Sequence, residues 1–260
     1  MIGVWTDLAP YRVAIAELPL RARAVPAADA AIAVIGGGRW RDGGVLPPAA
    51  AVVLADPPPG AGTSIPPGTP VIVDRERLCP DDMPGDVAVD AALFTVECSA
   101  TAADLAEAVR DAVGWLRVLS GGELSIDAVR AGEHGVIALI RTDDRSPAGA
   151  RAATLVATVL ADASAAPRLR ALAVGPERTE VVVDGSGAAA VVISSASGAR
   201  RLPARYESRR RVALRRAIDT VGGAESSDLT DLRHDDALAA VLVGAINGAD
   251  FLHSQNRLPG

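Results

Sequence analysis

Short apolar runs set off by glycine and proline dominate the first third of the chain. Residues 2–5, 31–35, 50–55 and 70–73 are almost uninterruptedly apolar. Runs of this length without polar alternation predict strands covered on both faces, as in a parallel sheet. The stretch 10–23 predicts a helix after the first of them. Gly36-Gly37-Gly38, Pro47-Pro48, Pro57-Pro58-Pro59-Gly60 and Pro66-Pro67-Gly68 punctuate the region. These connectors are too short for full helices, so a doubly wound domain here is trimmed. A change of texture over 78–85 marks an inter-domain crossing.

The pattern then changes. A strand over 87–97 precedes a helix entered through Ser99 to Asp104, with Thr101 as a capping oxygen and Asp104 complementing the dipole. Leu105, Val109, Ala112, Val113 and Leu116 recur at helical spacing, and Gly121-Gly122 ends the element. Strands follow over 124–129, 135–141, 151–160, 168–174, 179–183 and 188–194. Their turn-rich links predict an antiparallel meander. Helices over 207–221 and 229–246 close the chain, the second opened by Ser226-Ser227-Asp228, and 251–260 forms a tail. The expected domains are 1–84, Rossmann-like and parallel, and 85–250, an α+β unit with an open, mainly antiparallel sheet flanked by helices.

Composition narrows the function classes. Aromatic residues are 3% and apolar residues 49%, so Ala, Val, Leu and Ile build the core. All 26 basic side chains are arginine, which beside the high Ala, Gly and Pro content fits a GC-rich bacterial genome. A net charge of −6 gives no attraction to nucleic acid or an anionic membrane. The sequence shows neither a signal-peptide pattern nor a membrane-spanning run, which points to the cytoplasm. Cys79 and Cys98 are isolated thiols, expected to be reduced and structural.

Other constellations are mundane. Arg205, Arg209, Arg210, Arg211, Arg215 and Arg216 form the densest basic cluster, read first as a solvated helix and otherwise as an anionic-ligand or acidic-partner patch. Asp228, Asp231, His234, Asp235 and Asp236 fit helix-start acids better than a metal site. Ser186 lies in a hairpin turn, without the nucleophile-elbow glycines.

A parallel unit, a helix, an open sheet and returning helices together resemble the glucose-fructose oxidoreductase/inositol dehydrogenase (Gfo/Idh/MocA) family. The run 49–57, ending in Ala55-Asp56-Pro57, is similar to the family's strand with a proline beside the nicotinamide. Gly68-Thr69-Pro70-Val71-Ile72-Val73-Asp74-Arg75-Glu76 lies where the family has Gly-Lys-x-Val-x-x-Glu-Lys-Pro. Leu172-Ala173-Val174-Gly175 with 180–184 resembles a hairpin of the family's C-terminal sheet.

The departures fall on the chemistry. Trp5, Thr6, Asp7 and Leu8 stand where the resemblance implies a glycine-rich turn under the dinucleotide. Asp74, Arg75 and Glu76 replace the glutamate, lysine and proline, and arginine is a poor proton partner. The family's histidine would fall within 105–113, where none occurs, leaving Asp104 or Asp111 nearby. The resemblance so modified implies a catalytically degraded protein with no cofactor or metal, acting as a scaffolding subunit. Its sheet would then pair with a second copy or with an active oxidoreductase. One alternative is a divergent NAD- or NADP-dependent oxidoreductase acting on a sugar, polyol or related hydroxy compound, with Arg75 orienting an acidic substrate. Another is a module that binds a small anion without redox chemistry.

Overall fold

The computed structural model describes residues 1–37, 48–61, 68, 70–83, 90–143 and 151–255. They fall into two compact units, Met1–Cys79 with Arg205–His234, and Pro80–Ala204 with Asp235–Gly260. The described helices are α1 (Ala9–Ala16), α2 (Leu105–Ser120), α3 (Arg209–Val221) and α4 (Asp228–Gln255).

In the first unit, β1 (Ile2–Thr6), β2 (Ala22–Ala24), β3 (Ile32–Gly36), β4 (Ala51–Ala55) and β5 (Val71–Asp74) form a parallel sheet in the order β2-β1-β3-β4-β5. Alternate residues of the apolar runs serve opposite faces. Val53, Ala55 and Ile72 pack with Tyr11 and Ile15 of α1 and with Leu214 and Ile218 of α3. Val52, Leu54 and Val71 pack on the other side with Leu232 of α4. Covering on both sides is why these strands carry no polar alternation.

Helix α1 stops at Ala16, well short of the expected residue 23. Pro19 disfavours helical backbone at Leu18, and the chain turns there into β2, a strand the sequence reading missed. The terminal helices were both expected in the second domain, yet Arg205–His234 belong with the first unit. Residues 251–255, expected in the tail, continue α4.

The second unit holds β6 (Leu93–Thr101), β7 (Glu123–Gly132), β8 (Gly135–Asp143), β9 (Arg151–Leu160), β10 (Arg168–Val174), β11 (Arg178–Val183), β12 (Ala189–Ser195) and β13 (Gly198–Arg201). Their order is β13-β12-β11-β10-β6-β9-β8-β7. This is a mixed sheet rather than a meander, because β6 enters the middle and pairs parallel with β9, antiparallel with β10. Ser99 to Thr101, expected at a helix start, complete β6, and residues 87–89 of the expected strand lie outside the described residues.

Phe94, Val96, Cys98 and Ala100 of β6 are buried on the face that α2 covers. Helix α2 ends at Ser120; the Gly121 N–H donates to the Arg117 carbonyl at 2.9 Å, and a φ of 68° at Gly121 turns the chain out of the helix. Where α4 enters this unit, buried Asp235 accepts two 3.0 Å bonds from Arg117 of α2.

A candidate site at the carboxyl edge of the parallel sheet

Strand order reverses around β1, whose neighbours β2 and β3 lead away in opposite directions. In open parallel sheets ligands bind outside the carboxyl ends of the strands, at such a reversal. Trp5 and Thr6 lie within β1, paired with Ala33 and Val34, so the indole is on the strand and not in the turn as the sequence reading had it. The turn itself is Asp7 and Leu8. Leu8 turns its side chain into the core, against Gly36, while the Asp7 side chain is exposed. The Arg12 guanidinium donates to the Asp7 carbonyl at 3.2 Å, placing a cation over the turn.

Four ionisable side chains meet farther along the same edge. Asp56 follows β4, Asp74 ends β5, Tyr11 comes from α1, and Arg209 is the first residue of α3. Arg209 donates from Nη1 and Nη2 to the two oxygens of Asp56 at 2.8 and 2.9 Å, and from Nη1 to Asp74 at 3.2 Å. The Tyr11 hydroxyl donates to the other Asp74 oxygen at 2.5 Å. The Ser208 hydroxyl accepts from the Arg211 N–H at 3.3 Å, capping α3 where Arg209 begins it.

Burial decides the titration of the inner pair. Asp74 is 5% exposed and Tyr11 1%. Desolvation raises the Asp74 carboxyl above its ordinary value, more than Arg209 and the Tyr11 hydrogen bond lower it. Desolvation, then the charge of Asp74, raises the Tyr11 phenol. The pair therefore holds its protons more firmly than either group would in water.

The remaining sequence candidates separate. Ala55 ends β4, and Pro57 is buried just beyond Asp56. Arg75 is 4% exposed and its main chain bridges to Leu78, so the guanidinium offered in place of the catalytic lysine is withdrawn from solvent. Glu76 is exposed and pairs with Arg77 at 3.3 Å. Thr69 and Gly38 lie outside the described residues.

Asp104 and Asp111 belong to the other unit. Asp104 accepts from the Thr101 hydroxyl at 3.0 Å, and Asp111 is 1% exposed, 3.5 Å from Arg110. Cys98 is buried, its thiol pushed up to about 12 by burial and then by the charge of Asp111, and so is unreactive. Asp228, Asp231 and Asp235 bind Arg216, Ser227 and Arg117. Among the described residues no group of acids, histidines and cysteines is arranged to hold a metal.

Sequence reasoning missed Tyr11 altogether, included Asp56 in the run beside the nicotinamide without giving it a role, and did not place Arg209 at this edge. An aspartate directly after each of two apolar strands was a usable signal for Asp56 and Asp74. Arg209 had none, since its carboxylate partners are 153 and 135 residues away.

No family model matches the sequence, and no curated protein sequence matches it. Solved structures do match in fold. UDP-N-acetylglucosamine 3-dehydrogenase GnnA from Acidithiobacillus ferrooxidans superposes with a TM-score of 0.58 at 14% identity, over 96% of this chain and 90% of that one. The 3-ketoreductase KijD10 from Actinomadura kijaniata, in complex with NADP and TDP-benzene, gives 0.56 at 13% identity over 95% and 96%. The chain therefore shares the fold of these two oxidoreductases, with a parallel Rossmann-like unit and a second, mixed sheet.

Proposed function

We propose that the chain is a divergent NAD(P)-dependent oxidoreductase acting on a sugar, polyol or related hydroxy compound. The observation that carries this reading is the match of nearly the whole chain to sugar oxidoreductase folds, one of them in complex with NADP. The turn after β1 is compatible with a dinucleotide. With Trp5 on the strand, Leu8 facing the core and the Leu8 N–H given to the Thr6 hydroxyl at 3.1 Å, the guanidinium of Arg12 is the group that would hold its pyrophosphate. Arg12 supplies the positive charge, and Asp7 opposes it. A bound nicotinamide supplies the centre that gives or takes a hydride. Asp74 is the acid suited to hold a proton at this edge, with Tyr11 orienting it.

The test is titration of the purified protein with NADH and NADPH, following energy transfer from Trp5, Trp40 and Trp115, and then a turnover screen of hydroxy compounds. Saturable micromolar binding supports the proposal. No binding up to millimolar cofactor sinks it.

The second reading is a non-catalytic subunit that acts through its sheet. It draws on Leu93, Ile137, Leu139, Val174 and Val182, which are all exposed on the sheet face opposite Phe94 and Val96. These apolar side chains stand among Glu97, Arg170 and Glu180 on the same face, a mixed surface that a partner chain could cover.

A further inference from the structure

We infer that Arg209 is a carboxylate receptor occupied, in the free protein, by the protein's own Asp56, and that the hydroxy compound taken at this edge carries a carboxylate. The part about the hydroxy compound rests on the oxidoreductase reading. The receptor itself does not.

Arg209 makes two parallel bonds to one carboxylate, at 2.8 and 2.9 Å. A planar guanidinium uses that geometry to recognise a free carboxylate. Its two acidic partners differ sharply in freedom. The Asp74 side chain is 3% exposed and is also held by Tyr11, so it is fixed. The Asp56 side chain is 50% exposed, and among the described residues its carboxylate bonds to nothing but Arg209.

Asp56 also sits at a φ of +46°, the one described non-glycine residue in the left-handed region. A residue held there at a strand's carboxyl edge is a recurrent mark of a working site. The neighbouring charge fits a receptor as well. The first turn of α3 has no acid, and Arg210 is half-buried and near enough to act on Asp74, yet is paired with no carboxylate among the described residues. Arg209 thus holds two aspartates, one of which can leave.

Exchange of Asp56 for an incoming carboxylate conserves charge and both hydrogen bonds. Asp56 swings into water, and the ligand takes the Nη1 and Nη2 positions. The site thereby selects acidic substrates, because a neutral one leaves nothing to replace Asp56.

Calorimetric titration of the full chain without nucleotide tests this, using glucuronate, its neutral counterpart glucose, and inorganic phosphate. Asp56→Asn tolerates the left-handed backbone but frees Arg209. It should tighten glucuronate binding about fivefold, the weight of one half-exposed ion pair. Glucose should bind neither protein, and Arg209→Gln should lose glucuronate binding. Equal glucuronate affinity in wild type and Asp56→Asn overturns the inference, as does absence of binding in both. Phosphate binding tighter than glucuronate overturns the carboxylate assignment. If glucuronate binds as expected while dinucleotide titration fails, the receptor stands and the oxidoreductase reading falls.

Discussion

Asp74 is under two opposed influences, and the outcome sets a pH dependence. Burial raises its pKa, while Arg209 and the Tyr11 hydroxyl lower it by less. A carboxyl whose folded pKa lies above its unfolded value binds its proton more tightly in the native state. Its contribution is complete below the ordinary carboxyl value of 3.8 and is lost as pH rises through the folded pKa. Thermal unfolding of wild type and Asp74→Asn from pH 4 to pH 7 should therefore show the difference shifting in the variant's favour as pH rises. A constant difference would mean that Asp74 titrates normally. Tyr11→Phe leaves Asp74 without its 2.5 Å donor and should cost about 1–3 kcal/mol, measured by urea unfolding. Asp74 was legible through its place in the motif-like run 68–76, whereas Tyr11 resembles any aromatic on a core-facing helix.

Between elements, the entry to α4 is tied to the edge strand β5. The Ser226 hydroxyl donates to the Val71 carbonyl at 3.0 Å, and Asp228 accepts from the Val73 N–H at 2.8 Å while binding Arg216. The Ser226-Ser227-Asp228 run, which looked like a local cap, also satisfies main-chain groups on the exposed side of β5. Asp228→Ala removes a partner of a main-chain N–H and of Arg216 together. It should destabilise the protein by about 1–3 kcal/mol, readable in chemical denaturation. Most strands of both sheets were legible from their apolar runs and turns. The parallel β6-β9 pairing was not, because hairpin-sized links report which strands are adjacent in sequence and nothing about a strand inserted from upstream. Short β2, three residues with two exposed, has no apolar pattern to detect.

For the whole molecule, the uncovered sheet face is the surface most open to test. Ile137 is 56% exposed and Leu139 46%, while Arg170, Glu180 and Arg178 form ion pairs on the same face. Apolar residues beside charges of both signs suit a copy of the same surface, since each sign finds its opposite across a two-fold axis. Ile137→Asp should convert an assembled species to monomer in light scattering while the far-UV circular dichroism of the fold is unchanged. A wild type that is already monomeric at tens of micromolar would remove the oligomer reading. The first unit also has a history during synthesis. Its parallel strands are complete at Asp74, yet the helix that covers one face and supplies Arg209 begins only at residue 209. At ~5–20 residues per second the nascent sheet waits on the order of ten seconds with Val53 and Ile72 covered on that side by α1 alone. Whatever shields nascent chains from aggregation therefore has its longest task on the segment translated first.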